Sequence, residues 1–323
     1  MPLVTVCAVV GGPEQQFKPI ALRRKAIEIS NNLIALWSGD FSAACYFAEL
    51  VTDWFQKYPV NKETLISFCD TYYGQRVPNF WAIIVPSNNE NWYVTIGDVY
   101  RSHSSFAGEY LVAGTGQRIF RDMVDAMQSP ESAIVPPDVA GLRIANDLSA
   151  REIVTGEPLR CAFGGAYEVF FPGPDGFERV DDVMHAFALV KVSTDIDVHH
   201  YSFVMRQWYE NDQLCIFSQV TDSGAMQGLK SEGFAIPSVL GMKTQSDRTV
   251  DFLKTRPRYL SLHHLFEIDG KIVSSTLTLK ADGIDEYFNF IDKSRSVSFE
   301  PKDTYFTRLV EQAVAIKKQL GHG

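Results

Sequence analysis

The chain has 323 residues, 46% of them hydrophobic, enough to bury a large core as one big domain or two ordinary ones. A net charge of −9 and a pI near 5.3 exclude a nonspecific nucleic-acid binder, because phosphate recognition needs a surplus of Lys and Arg. No apolar run reaches the roughly 18 residues that span a bilayer, and the first residues lack a basic region ahead of their apolar stretch, so a cytoplasmic protein with no membrane contact is expected.

The first strand is read at Val4–Val10, closed by Gly11-Gly12-Pro13, with weak strand signal over 14–22. The stretch from Arg24 to Phe55 carries the clearest pattern. Ala26–Ile29 alternates, Asn31-Asn32 turns, and Leu33–Trp37 is a continuous apolar run that reads as a buried strand. After the Ser38-Gly39-Asp40 break, Ser42 is the expected cap of a helix whose Ala44, Phe47, Ala48, Val51 and Phe55 recur at helical spacing. A second helix starts at Lys62 and ends near Gly74. Phe80–Val85 and Trp92–Ile96 pair as a hairpin.

Tyr110–Ala113 is a short strand that leads through Gly114-Thr115-Gly116 into a helix bearing Ile119, Phe120, Met123, Val124 and Met127. This repeats the order of strand, glycine turn and helix. Pro136-Pro137 open a longer helix to about Val154, and β-type sequence resumes at Arg160 and continues to about Val192. Beyond 193 the chain reads as hairpins at 198–220 and 263–280, a long loop over 221–246, and a terminal helix at Asp303–Leu320. Domains are therefore expected at 1–192 and 193–323. The order of elements predicts an α+β fold: two stacked sheets with helices on both outer faces, a four-layer αββα sandwich, with a β-rich C-terminal extension.

Four segments in this order, VTVCAVV, RKAIEISNNLIALWSGD, LVAGTGQ and RCAFGGAYEVFF, resemble a proteasome-type N-terminal nucleophile (Ntn) hydrolase over roughly residues 3–192. The resemblance implies a nucleophile strand, a Lys-bearing strand, a Gly-Ser-Gly turn and an Asp-Ala-Tyr-Ser-Gly-Gly segment. In that chemistry an N-terminal Thr attacks an amide carbonyl while its own amine acts as the base. Thr5 is the hydroxyl on the first strand, with Val4 an equal claimant to the nucleophile position; a free amine at Thr5 requires removal of Met1–Val4. Lys25 matches the family lysine, beside Arg23 and Arg24. Thr115 keeps one hydroxyl in the glycine turn. Cys7 shares the strand face of Thr5 and is a second possible nucleophile, but a small core residue is the simpler reading.

The resemblance also has gaps. No Asp in 14–22 can hold the lysine, and Cys161-Ala162-Phe163-Gly164-Gly165 replaces the last family segment without its carboxylate or hydroxyls. Proton transfer needs such companions. The expected function is a proteasome-like protein without peptidase activity, working through self-assembly by its helical layers or through a protein partner. The alternatives are a Thr-dependent amide hydrolase activated by processing and a metal or small-molecule binding module.

Other motifs are weaker. Gly114-Thr115-Gly116 lacks the third glycine and the βαβ context of a dinucleotide loop. Asp195, Asp197 and His199 share one strand face at period two, for which a solvated polar surface is a simpler reading than a carboxylate and imidazole metal site. His263 and His264 point to opposite faces of a strand, so one of them needs His199 or His200 as a companion to make a site. Asp181-Asp182 read as turn charges. Five scattered cysteines, Cys7, Cys45, Cys69, Cys161 and Cys215, without a CxxC pair, read as reduced thiols. No cofactor and no metal are expected.

Overall fold

The structure, a computed structural model, describes residues 3–11, 19–72, 79–84, 92–96, 99–114, 116–127, 135–155, 163–192, 196–210, 213–220, 230–236, 256–268, 270–293 and 296–320. These residues form a mixed α+β protein with six helices. The chain packs as two units, residues 1–180 with 236–244, and residues 181–235 with 245–323.

In chain order the first unit holds strands β1 (Leu3–Gly11), β2 (Pro19–Arg23), β3 (Ala26–Ser30) and β4 (Leu33–Ser38) and helices α1 (Phe41–Lys57) and α2 (Lys62–Tyr72). Strands β5 (Asn79–Ile84), β6 (Trp92–Ile96), β7 (Val99–Ser104) and β8 (Gly108–Ala113) follow, then helices α3 (Gln117–Ala126) and α4 (Pro137–Thr155) and strands β9 (Phe163–Gly173) and β10 (Gly176–Arg179). One antiparallel sheet has the order β3-β4-β5-β6 and another the order β10-β9-β1-β2.

The apolar run 33–37 is buried throughout because β4 is covered on both faces. Leu33, Ala35 and Trp37 pack with Ala44, Phe47 and Val51 of α1 and with Leu65 and Phe68 of α2. Ile34 and Leu36, on the opposite face by the period of two, pack with Ala26 and with Phe170 of β9. Phe47 and Phe68 meet edge to face at 5.9 Å, which ties α1 to α2. Helix α4 contacts β9 and β1, and α3 contacts β7, β8 and α4. The cap of α1 is Asp40, whose carboxylate accepts from the Ala43 amide at 2.8 Å. Ser42, the cap expected from sequence, lies inside the helix.

The second unit contains β11 (Asp182–Val192), β12 (Ile196–Glu210), β13 (Gln213–Val220), β14 (Lys230–Ile236), β15 (Tyr259–Ile268) and β16 (Lys271–Lys280). Helix α5 (Ala281–Tyr287), strands β17 (Phe288–Lys293) and β18 (Ser296–Pro301) and helix α6 (Asp303–Gln319) complete it. Its six-stranded sheet runs β14-β13-β12-β11-β15-β16, with β11 parallel to β15. Met184, Ala186, Leu260, Leu262 and Phe266 bury one face against Ile284 of α5 and Tyr305, Leu309 and Ala313 of α6.

Two expectations change here. The strand to 192, assigned by sequence to the first domain, is a central strand of the second unit's sheet, so the division falls at Val180/Asp181. The loop expected over 221–246 contains β14, whose pattern is obscured by Gly233 and two charges. No helix among the described residues is long and apolar enough to cross a membrane.

Candidate functional site

Arg24 and Lys25 form the two-residue link between β2 and β3. Trp37 fixes this link twice: its amide donates to Lys25 O at 3.2 Å and its indole Nε1 donates to Arg24 O at 3.0 Å. The two side chains have separate destinations. Arg24 is 1% exposed and donates from Nε to Glu168 Oε1 at 2.6 Å and from its terminal nitrogen to Glu28 Oε1 at 2.7 Å. Glu28 also takes Arg179 at 2.8 Å.

Lys25 approaches the glycine turn after β8. A methyl group placed on Gly114 would stand 3.9 Å from Lys25 Nζ, 3.9 Å from Ser38 Oγ and 3.4 Å from Ser38 Cβ. Gly114 has φ +92° and Gly39 has φ +98°, a left-handed backbone that costs glycine nothing, so both strand-to-helix turns depend on it. The Gln117 amide closes the second turn on Gly114 O at 3.1 Å. Lys25, Ser38 and Gly114 are thus brought to one place.

Thr5 pairs in register with Glu168, and Val4 with Val169. The side chains of Thr5 and Cys7 lie outside the described residues, as do Thr115 and Cys161. Along β9, opposite β1, the chain offers Phe163, Gly164, Gly165 and Ala166 before Tyr167 and Glu168. The hydroxyl of Tyr167 donates to Glu152 Oε2 at 2.7 Å, and the Glu168 carboxylate receives Arg24. The buried Arg24–Glu168 pair was not legible in sequence because its members are 144 residues apart. Arg24 reads there as part of a surface basic cluster; instead it leaves Arg23 to stack on Phe41, 5.2 Å from the ring centroid.

The second unit holds a different cluster. His263, on β15, does not need His199 or His200: its Nε2 lies 3.1 Å from His185 Nδ1 on the adjoining β11, and its ring stacks on Phe187 at 4.2 Å. Thr276 Oγ1 is 3.4 Å from His263 Nδ1. His264 turns to the opposite face, where Nε2 meets the Tyr305 hydroxyl at 2.8 Å. Burial lowers the pKa of His185 and of His264 to about 4, and burial, followed by the two neighbouring histidines, lowers that of His263. The facing nitrogens of His185 and His263 share one proton between neutral rings, since two protonated donors cannot face each other at that distance.

Asp197 is exposed on β12, while Asp195 and the side chains of His199 and His200 lie outside the described residues. Among the described residues no three His, Cys, Asp or Glu side chains converge as metal ligands. Asp182 is bound bidentately by Arg206 at 2.7 and 2.6 Å, and Asp181 pairs with Arg258 at 2.8 Å, so these acids are partners in ion pairs rather than only turn charges. Cys45, Cys69 and Cys215 are free thiols, and burial pushes Cys69 and Cys215 up to about 11, away from nucleophilic character. No protein-family model and no curated protein matches the chain.

Proposed function

We propose that the first unit is a proteasome-type Ntn fold, a four-layer αββα sandwich, whose amide-hydrolysing centre is degenerate, and that the protein acts through self-assembly or a protein partner. Support for the layers comes from packing: α1 and α2 on one face of β4, Phe170 of β9 on the other, and α4 against β9 and β1. The observation that carries the loss of catalysis is the strand beside β1. Its first four residues have no side-chain proton carrier, and the next two spend their polar groups on Glu152 and Arg24. Beyond the amine of the nucleophile itself, the chemistry needs a polar relay, and the polar groups at the start of β9, Tyr167 and Glu168, are engaged with Glu152 and Arg24. The test is turnover of a panel of acylated peptides and simple amides. No turnover above buffer is expected; hydrolysis that disappears in Thr5→Ala would overturn the proposal.

A second reading is favoured by one observation, the approach of Lys25 Nζ to Gly114 and Ser38. In this reading removal of Met1–Val4 frees the amine of Thr5, Lys25 keeps the local potential positive, and Thr115 assists. Intact mass of the purified protein separates the two: loss of the first four residues supports the hydrolase, and an unprocessed terminus supports the degenerate scaffold.

A further inference from the structure

Helix α6 buries Tyr305, Leu309 and Ala313 against the sheet, yet a second apolar row remains on its surface. Phe306, Val310 and Val314 are 37%, 43% and 60% exposed and fall four residues apart, so they stand above one another as a ridge. The row adjoins the buried face. A polar groove of about 660 Å³, lined by Thr304, Arg308 and Glu311 among others, shares Asp303 with the end of the ridge but none of its three apolar side chains, so the apolar ridge is a distinct surface.

The ridge is symmetric in spacing about Val310. Phe306 and Val314 lie four residues either side of Val310, and Asp303 and Lys317 lie seven either side. Helical geometry sets Asp303 and Lys317 in line with the ridge, one at each end. Two copies of α6 packed antiparallel about an axis through Val310 set Val310 against itself, Phe306 against Val314, and each Asp303 against the other copy's Lys317. Parallel packing would oppose like charges at both ends. We infer that the exposed ridge of α6 is a self-association surface, and that its occupant is the same ridge of a second copy in antiparallel orientation.

The inference rests on the self-assembly half of the proposed function and uses none of the groups around Lys25. A specific stable interface buries about 800 Å² per partner, more than three side chains supply, so a dimer that dissociates on dilution is expected. The end charges give orientation more than affinity.

Sedimentation equilibrium of the full chain over a dilution series tests this. Wild type is expected to form a concentration-dependent dimer, and Val310→Asp, which opposes two carboxylates at the axis, to weaken it by about tenfold or more. Asp303→Lys and Lys317→Asp should each weaken the dimer, and the double charge exchange should restore it. All three positions face solvent at least in part, and circular dichroism checks that each variant keeps its helix. A wild-type monomer at every concentration overturns the inference together with self-assembly. An oligomer unmoved by Val310→Asp, or a double exchange no tighter than its single variants, overturns the inference alone.

Discussion

Two clusters, one in each unit, bury titratable groups in opposite ways. In the first, Arg24 and Glu168 enter the interior as an opposite pair in direct contact at 2.6 Å, with side chains 1% and 0% exposed. In the second, His185, His263 and His264 enter with no carboxylate in their hydrogen bonds, and burial keeps them neutral. A buried charge with its counter-charge stays a charge, while a buried base without one gives up its proton. The first arrangement is sensitive to mutation of either partner and the second to acid.

The largest expected effect comes from breaking the first arrangement. Arg24→Met leaves Glu168 buried opposite a thioether and should cost about 3 to 5 kcal/mol in denaturant unfolding. Arg24→Met with Glu168→Leu should recover much of that loss; a double variant as unstable as the single would show that packing around Arg24, and not the carboxylate's loss of its guanidinium, sets the cost.

Acid tests the second arrangement. The folded pKa values of His185 and His264, about 4, lie below the unfolded value of about 6.5, so the unfolded state binds more protons between them. Stability from these residues is whole above pH 6.5 and falls as the pH drops towards 4, by about 3 kcal/mol for each. Asp147 in the first unit runs the other way: burial raises it to about 6 against the opposing effect of Arg143, so its share of stability is lost as pH rises through 6. Unfolding followed from pH 7 to 4 should therefore weaken the second unit first. His185→Gln and His264→Gln should each flatten that slope, and an unchanged slope would remove the histidines from the account.

Smaller effects sharpen the contrast. Gly114→Ala keeps φ +92° only under strain and should cost about 1 to 3 kcal/mol in thermal unfolding, a measure of how firmly the turn beside Lys25 is held. Arg258→Ala removes an ion pair whose members are 62% and 41% exposed, and should change stability by less than about 1 kcal/mol. An equal loss for Arg258 and Arg24 would contradict the premise that burial decides the difference.

The sequence exposes those parts of the fold that depend on local pattern. Leu33–Trp37 reads as a buried strand, and the helices beginning at Lys62 and Asp303 start where spacing predicts. Lys25 and the two glycine turns could be named in advance, although their meeting at Gly114 depends on tertiary packing. What sequence could not supply is non-local. Nothing near Arg24 identifies Glu168, and His185, between Met184 and Ala186 in an apolar strand, gives no sign of facing His263. The short strand β7, mostly polar, and β14, with its glycine, lack the alternation that would have revealed them.

The parallel pairing of β11 with β15 sets an order of events during synthesis. Val183 is hydrogen-bonded alongside Tyr259, so one edge of β11 finds its neighbour only after β12, β13 and β14 have been made. Until then a strand of buried valines, alanines and Met184 has one open edge, the condition in which nascent chains pair with the wrong neighbour. A chain stopped short of Tyr259 carries the whole first unit and yet ends in an unfinished sheet. Such a fragment should need a chaperone where the full chain does not.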